Sequence, residues 1–267
     1  MQVRDHLLFD TDVKQVETPN MSGFVAPEYL IMHYTAGRDA ESSIAHFCDP
    51  AANASAHLVI GRDGHVCQLV PFNRKAWHAG QSAWAGREGL NGFSIGIELD
   101  NAGKLVKVGN QYQAWFGKSY PEDVVLHARH KDGQDPAYWH AFTEQQMSAA
   151  LDIAKLLARA YTLKDVLGHD DIAPRRKVDP GPAFPMRSFR AYVFGRGEDQ
   201  PPSYEVTASL LNIRSGPSTE YPTVMPPLRQ GTRLSLVTMQ ANWAKVMLVE
   251  GSGGEGWVRN TFIRPVS

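Results

Sequence analysis

Three residues of this chain are of the types that hold a catalytic zinc ion. His33 ends an apolar stretch, His169 follows a long helical pattern, and Asp179 lies ten residues further on. Two histidines and one carboxylate, with a fourth position left for water, form a catalytic zinc set. The chain has ten histidines, so the ligand types alone are weak evidence. A polar loop over residues 168–180 beside a structural histidine is the other interpretation of the same residues.

Two further residues have the chemistry to assist hydrolysis at such a centre. Glu98 lies in a predicted buried strand, where its carboxylate could take a proton from water and pass it to a leaving amine. Lys177 stands two residues before Asp179 in a stretch that Pro180 keeps extended, so both side chains face one side. Its ammonium could then stabilise an oxyanion. An exposed Glu98 at the end of a strand is the alternative.

Short apolar segments predict the elements that position these residues. An Asp-Gly turn at 63–64 indicates a hairpin, and Thr143 with Gln146 forms a capping-box pattern at the start of a long amphipathic helix. We expect a short helix between 35 and 52, and an irregular excursion over 101–142. The predicted strands cover residues 29–33, 56–60, 65–70 and 93–99, and the long helix covers residues 144–160.

The pattern changes after a segment rich in Gly, Pro and charge. We interpret residues 195–203 as a linker between a first domain, 1–194, and a second domain, 204–267. Beyond the linker, short strands alternate with turn residues and show no helical period. This pattern predicts a small all-β barrel.

The composition limits the class of protein. The 267 residues carry 27 basic and 28 acidic side chains, for a net charge of −1 with histidine neutral. A mainly electrostatic nucleic-acid binder would show a basic excess, so no nucleic-acid partner is expected. No apolar run approaches the roughly 18–20 residues that a membrane helix needs. Whether Cys48 and Cys67 form a disulfide stays open.

Five segments in the first domain follow one another in a specific order. They are His-Tyr-Thr-Ala-Gly (33–37), Ser-Ala-His-Leu-Val-Ile-Gly-Arg-Asp-Gly (55–64), Ala-Trp-His-Ala-Gly (76–80), Asn-Gly-Phe-Ser-Ile-Gly-Ile-Glu (91–98) and Gly-His-Asp-Asp-Ile-Ala-Pro-Arg-Arg-Lys-Val-Asp-Pro-Gly (168–181). Together they resemble the N-acetylmuramoyl-L-alanine amidase type 2 family, which includes phage amidases, AmpD-like enzymes and peptidoglycan recognition proteins. The resemblance covers roughly residues 25–190.

The resemblance implies an α/β fold, with a mixed central β-sheet flanked by helices, and a Zn²⁺ cofactor. It also implies cleavage of the amide between N-acetylmuramic acid and L-alanine in peptidoglycan or muropeptides. By motif, the zinc ligands are His33, His169 and Asp179, and Glu98 is the catalytic acid–base residue. Lys177 remains the candidate for oxyanion stabilisation.

Five residues are plausible contacts with substrate in the cleft. They are Tyr34, Asn53, Trp77, His78 and Asn91. A structural role for His78 is as plausible as a place in the cleft lining. Asn53 and Asn91 could equally be turn formers.

The second domain also resembles a known family. Segments at 211–222, 228–231, 243–246 and 256–263 look like a bacterial SH3 domain. Such domains often bind cell-wall peptide or glycan, which would make the barrel a targeting module. A spacer or an interaction module that does not bind the wall is the alternative, because a fold does not fix a function.

Three functions remain open at this point. The leading hypothesis is a zinc-dependent amidase, a hydrolase that degrades the cell wall, as a phage endolysin does. The second is a recycling amidase acting on soluble anhydro-muropeptides, and the third is a non-catalytic recognition protein. The first residues lack the apolar core of a signal peptide. We therefore expect synthesis in the cytoplasm, and action on the wall after lysis or specialised export.

Overall fold

A six-stranded sheet forms the centre of the first domain in this computed structural model, which describes residues 1–11, 13–133, 135–196, 199–249 and 254–266. The strands of this domain are β1 Gln2–Arg4, β2 Leu7–Phe9, β3 Val13–Gln15, β4 Met21–Phe24, β5 Tyr29–Tyr34, β6 Leu58–Ile60, β7 Val66–Gln68, β8 Arg74–Ala76, β9 Ala83–Trp84, β10 Arg87–Glu88, β11 Ser94–Leu99, β12 Lys104–Val108, β13 Gln111–Gln113, β14 Ser119–Tyr120, β15 Val125–Arg129, β16 Pro136–His140 and β17 Asp165–Gly168. The helices are α1 Ala40–Cys48, α2 Glu144–Tyr161, α3 His169–Ile172 and α4 Met186–Phe194.

The central sheet is mixed, as the sequence predicts. Its strand order is β17-β5-β11-β6-β7-β3, and only the β6–β7 hairpin, which contains the Asp-Gly turn, is antiparallel. Every residue of β11 is buried. A parallel strand of this kind is mostly apolar because both faces of the sheet are covered, so its buried Ser94 and Glu98 stand out. The expected α/β class with flanking helices is therefore confirmed.

The long helix α2 covers one face of this sheet. Thr143 caps it, accepting from the Gln146 backbone N–H, while the Gln146 side chain accepts from the Thr143 N–H. Its apolar stripe enters the main core with Ile153 and Leu157, which are fully buried. No helix in the described parts of the chain is both long and apolar enough to cross a lipid bilayer.

Two elements differ from the sequence expectations. The described residues between 101 and 142 are not irregular, because five strands among them form a second sheet in the order β14-β13-β12-β16-β15. Its strands are short, and β12 buries only one residue in five, so no apolar run reveals them. Helix α4 was also not expected. It is only nine residues long, and it lies between Pro185 and a left-handed Gly195.

The second domain is an all-β barrel, as expected. Its strands are β18 Ser203–Val206, β19 Leu210–Leu211, β20 Leu228–Arg229, β21 Arg233–Gln240, β22 Trp243–Leu248, β23 Glu255–Arg259 and β24 Ile263–Pro265. The larger sheet has the order β23-β22-β21-β18-β24 and packs around its own apolar core. Residues 197 and 198 of the expected linker lie outside the described residues.

The barrel is docked onto the helices of the first domain. Ser188 in α4 donates to the buried Leu236 carbonyl at 2.7 Å. Trp257, which is 1% exposed, donates its indole N–H to Glu144 at the start of α2. Lys245 also pairs with Glu144 at 2.7 Å. These contacts predict that the two domains stabilise each other.

Replacing Ser188 tests this docking. Ser188→Ala should lower the free energy of unfolding by about 1–3 kcal/mol, because the buried Leu236 carbonyl loses its hydroxyl donor. Urea unfolding of the full chain measures the change. Ser119→Ala, at an exposed position of β14, is the matched control and should have little effect. A Ser188→Ala protein as stable as the control would contradict the docked arrangement.

Candidate metal centre

The carboxyl ends of two neighbouring parallel strands, β5 and β17, carry the two candidate histidine ligands. His33 lies near the end of β5, directly beside Glu98 of the neighbouring β11. On the other side of β5, β17 ends at Gly168, and His169 follows at once as the first residue of α3. Asp179 returns to the same place, where its carbonyl accepts from the Asp170 N–H. The carboxyl ends of parallel strands are the usual position of sites in α/β sheets.

The three candidate ligand atoms converge on one point. The Nδ1 atoms of His33 and His169 are 3.0 Å apart, and Asp179 Oδ2 lies 3.0 Å from the first and 2.9 Å from the second. Around a tetrahedral zinc ion with bonds of about 2.0–2.1 Å, ligand atoms stand roughly 3.3 Å apart. All three residues are buried. The donor set and its spacing therefore fit zinc.

The hydrogen bond of His169 leaves the correct nitrogen free for a metal. Its Nε2 lies 3.1 Å from the Ala79 carbonyl oxygen, which can only accept. Nε2 therefore carries the proton, and Nδ1 presents its lone pair to the candidate metal position. A ligand histidine normally donates its other N–H in this way, which fixes the tautomer.

A longer chain of hydrogen bonds fixes the tautomer of His33. Ser94 Oγ donates its single proton to the Leu90 carbonyl at 2.6 Å, so it can only accept from His78 Nε2 at 3.3 Å. His78 Nδ1 is then unprotonated and accepts from His33 Nε2 at 3.0 Å. His33 Nδ1 is left with a free lone pair. Both ligand histidines thus present the same nitrogen to the metal position.

His78 therefore contacts the candidate ligand His33 on the side away from the metal position, and both of its ring nitrogens already have hydrogen-bond partners. Gly96 makes room for it, since a Cβ there would come within 2.5 Å of the imidazole. Asn91 accepts from the backbone N–H groups of His78 and Ala79, at 3.0 and 2.7 Å. Both residues thus make hydrogen bonds that position the ligands, and His78 also lines the cleft. Contact of either residue with substrate stays a prediction.

Asn53 does not line the cleft. It is exposed, adopts a left-handed conformation with φ 50°, and donates its side-chain amide to the Ala51 carbonyl. Those are the properties of a turn former. Tyr34 and Trp77, by contrast, line the cleft, and their contact with substrate stays a prediction. Gly103 leaves space for the Tyr34 ring, which a Cβ would meet at 2.5 Å.

The cleft over these ligands, called the metal hollow below, has a volume of about 770 Å³. Besides the ligands His169 and Asp179, its lining includes Tyr34, Ala36, Arg38, Trp77, His78, Glu98, Trp115, Phe116, Arg176 and Lys177. Glu98 and Lys177, the two expected catalytic residues, thus reach the same space as the ligands. The hollow is open to solvent on one side and is large enough to admit part of a glycopeptide.

Burial changes the pKa values of the ionisable groups in the metal hollow. It lowers the pKa of His33 to about 4, and the neighbouring His169 lowers this pKa further, so the His33 imidazole is neutral at pH 7. Burial raises the pKa of Glu98 to about 8, with a further rise from the charge of Asp179, while Lys177 opposes the shift. Within the described residues, Glu98 Oε2 is buried and has no hydrogen-bond partner. A carboxyl group in this state is suited to exchanging protons with a substrate or water.

Two residues that support the site were not singled out from the sequence. Ser94 ends the hydrogen-bond chain behind His33, and Arg176 donates to the Ala79 and Gln81 carbonyls at 2.9 and 2.6 Å. The only available signal for Ser94 was its place in the segment 91–98, four residues before Glu98. Arg176 had no distinguishing signal, because surface arginines are common.

Comparison with known proteins places both domains in families. Residues 23–182 match the model of the N-acetylmuramoyl-L-alanine amidase family, and residues 207–265 match the bacterial SH3 domain. The chain is 38% identical over 152 residues to the 1,6-anhydro-N-acetylmuramyl-L-alanine amidase AmpD of Escherichia coli (strain K12). That match covers 57% of this chain and 62% of AmpD.

Two further similarities agree with this match. The chain is 35% identical over 179 residues to the N-acetylmuramoyl-L-alanine amidase AmiD of the same strain, covering 64% of this chain and 54% of AmiD. A crystal structure of a selenomethionine AmpD derivative superposes with a TM-score of 0.52 at 28% identity, over 72% of this chain and 99% of that one. The chain thus spans about three fifths of AmpD and about half of AmiD in sequence.

The hydrogen-bond chain behind His33 gives a prediction about metal affinity. His78→Ala should raise the Kd for Zn²⁺ by about 10- to 100-fold, because His33 loses the acceptor that fixes its tautomer. Competition with a fluorescent zinc chelator measures the change. As positive controls, His33→Ala, His169→Ala and Asp179→Ala should each fail to retain stoichiometric zinc by elemental analysis.

The matched control for His78 is His140, another buried imidazole. Its Nδ1 accepts from the Ala102 N–H, and its ring packs against Tyr120 rather than against a ligand. His140→Ala should therefore reduce stability and leave the zinc Kd near that of the parent. Parent-like zinc affinity in His78→Ala would show that the imidazole does not support the metal centre.

Proposed function

Because the chain belongs to the N-acetylmuramoyl-L-alanine amidase family, we propose that it is a zinc-dependent hydrolase of the amide between N-acetylmuramic acid and L-alanine. The observation that carries the proposal is the convergence of His33 Nδ1, His169 Nδ1 and Asp179 Oδ2 within about 3 Å of one another in the metal hollow. A zinc ion held there would polarise the amide carbonyl and lower the pKa of water to about 7.

In the proposed mechanism, Glu98 moves the protons of the reaction. Its buried Oε2 has no partner among the described residues, and its strand places it beside His33. The positive charges of Lys177 and of a bound zinc ion would favour the ionised form of Glu98. As a carboxylate, Glu98 takes one proton from the attacking water. It then returns that proton to the amine of L-alanine as the C–N bond breaks, so one group serves as base and then as acid.

Lys177 stabilises the negative charge that develops on the carbonyl oxygen. Its ammonium is close enough to lower the pKa of both Glu98 and His33. It also lines the metal hollow two residues from Asp179. A fixed positive charge in a partly buried site stabilises an oxyanion more strongly than it would in water.

The choice between wall and recycled substrates is the second part of the proposal. The similar AmpD is named for 1,6-anhydro-N-acetylmuramyl-L-alanine, so soluble anhydro-muropeptides are the alternative substrate class. The bacterial SH3 domain favours the wall, since linkage to a wall-binding module raises the effective concentration of the enzyme at that surface. We therefore propose action on peptidoglycan outside the cytoplasm, reached after lysis or by specialised export. A non-catalytic role is disfavoured because every candidate ligand and Glu98 are in place.

Mass spectrometry of the products tests this proposal. The full chain with Zn²⁺ should release peptides with a free L-alanine amino group from purified sacculi, and more efficiently than from soluble anhydro-muropeptide. Chelation should abolish both reactions and added Zn²⁺ should restore them. Faster cleavage of the anhydro-muropeptide would select the recycling alternative. Products cut at any other bond would refute the proposed activity.

Two substitutions separate catalysis from metal binding. Glu98→Gln should keep zinc and fold but lose about 10²–10⁴ in kcat, because the amide cannot accept the proton. Lys177→Ala should keep zinc and lose on the order of 10²–10³ in kcat, with KM little changed. Zinc content and kcat are measured on each variant. If a variant is metal-free, its residue helps to hold the metal, and normal turnover in Glu98→Gln would place the base elsewhere.

A further inference from the structure

The β13–β14 hairpin carries a tryptophan that the proposed mechanism does not use. Trp115 lies in the turn between these strands and is 79% exposed, the highest exposure of any large hydrophobic side chain among the described residues. Trp is seldom so exposed, and an exposed aromatic surface beside a cleft often marks a binding site. The second sheet thus places an indole at the rim of the metal hollow.

The indole is held in a fixed orientation. Its Nε1–H donates to the Ala36 carbonyl at 2.8 Å, in the loop just after His33. The turn beneath it is closed by hydrogen bonds from Gly117 N to the Ala114 carbonyl and from Ala114 N to the Lys118 carbonyl. Because the single polar atom of the indole is already satisfied, its exposed surface is apolar and oriented in advance of binding.

Trp115 stands between two cavities. On one side is the metal hollow, and on the other is a second cavity of about 600 Å³, called the outer hollow below. The lining of the outer hollow includes Lys104, Val106, Val108 and Gln113. Tyr34, Ala36 and Trp115 line both cavities, so the two form one continuous surface across the indole.

The two cavities differ in the chemistry that they offer to a substrate. The scissile amide joins a sugar to a peptide, so these two parts leave the metal position in different directions. The metal hollow contains Arg38, Arg176 and Lys177, cations that suit the carboxylates of a peptide. The outer hollow combines the apolar Trp115 surface and exposed valines with the hydrogen-bonding groups of Lys104 and Gln113.

That combination suits a pyranose ring. A pyranose presents an apolar face of C–H groups and a rim of hydroxyl and N-acetyl groups. The C–H face can lie on the indole, and the rim can bond to Lys104 and Gln113. A peptide would cover less of the flat indole surface, because its side chains project from the backbone in several directions. The geometry points to a sugar as the occupant of the outer hollow.

We propose that the outer hollow is a glycan subsite in which Trp115 stacks on the pyranose ring next to N-acetylmuramic acid. This inference rests on the proposed amidase function and narrows its substrate class. The enzyme recognises at least a disaccharide carrying a peptide, in preference to a single muramyl residue. Trp115 then contributes to substrate choice without taking part in the chemical step.

Paired substrates test the subsite. The kcat/KM of the full chain with Zn²⁺ is measured on N-acetylglucosaminyl-N-acetylmuramoyl peptide and on N-acetylmuramoyl peptide with the same peptide. The parent should prefer the disaccharide, and Trp115→Ala should reduce that preference by about 3- to 10-fold through KM. Trp115→Phe should keep part of the preference, because an aromatic face remains. Phe24→Ala is the matched control, since Phe24 is 78% exposed and lies outside both hollows.

The outcomes separate the subsite from the proposed function. If Trp115→Ala lowers kcat/KM equally on both substrates, the residue only braces the loop at Ala36 and the subsite is refuted. If the parent cleaves neither substrate, the proposed function fails, and calorimetry with the peptide-free disaccharide decides the subsite. Weaker binding by Trp115→Ala than by Phe24→Ala would then support it, and equal binding would overturn it.

Discussion

The metal centre depends on which ring nitrogen carries the proton in each of its two histidines. A histidine ligates through an unprotonated nitrogen, so His33 and His169 must both keep Nδ1 free at the same point. Two backbone carbonyls, those of Ala79 and Leu90, meet this requirement. The Ala79 carbonyl accepts directly from His169, and the Leu90 carbonyl acts through Ser94 and His78. The segment 79–90 therefore favours the tautomers in which both histidines ligate through Nδ1.

Burial makes this arrangement effective. In water an imidazole is partly protonated near neutral pH, and a protonated ring cannot ligate. Burial lowers the pKa of His33 to about 4, and lowers that of His78 well below its ordinary value. The same surroundings raise the pKa of Glu98 to about 8. Burial in one cleft thus keeps the imidazoles of His33 and His78 neutral, and it also allows the Glu98 carboxyl group to hold a proton.

The sequence predicts those parts of the molecule that depend on a recognisable pattern of side-chain types. Strands β5 and β11 were visible as apolar runs, α2 as a capped amphipathic helix, and the candidate ligands as motif residues. The roles of Ala79 and Leu90 could not be predicted, because their contribution is a carbonyl oxygen that every residue carries. The second sheet was missed because its strands are short and largely exposed. Trp115 could not be placed for the same reason, since its position depends on a contact between that sheet and Ala36.

Long-range ¹H–¹⁵N correlation spectra of the zinc-loaded protein test the arrangement of the two ligand histidines most directly. His33 and His169 should each bind Zn²⁺ through Nδ1 and keep a proton on Nε2, because the Ala79 carbonyl and His78 accept from those Nε2 atoms. Zinc bound to Nε2 of either residue, or loss of either Nε2 proton on zinc binding, would contradict this arrangement.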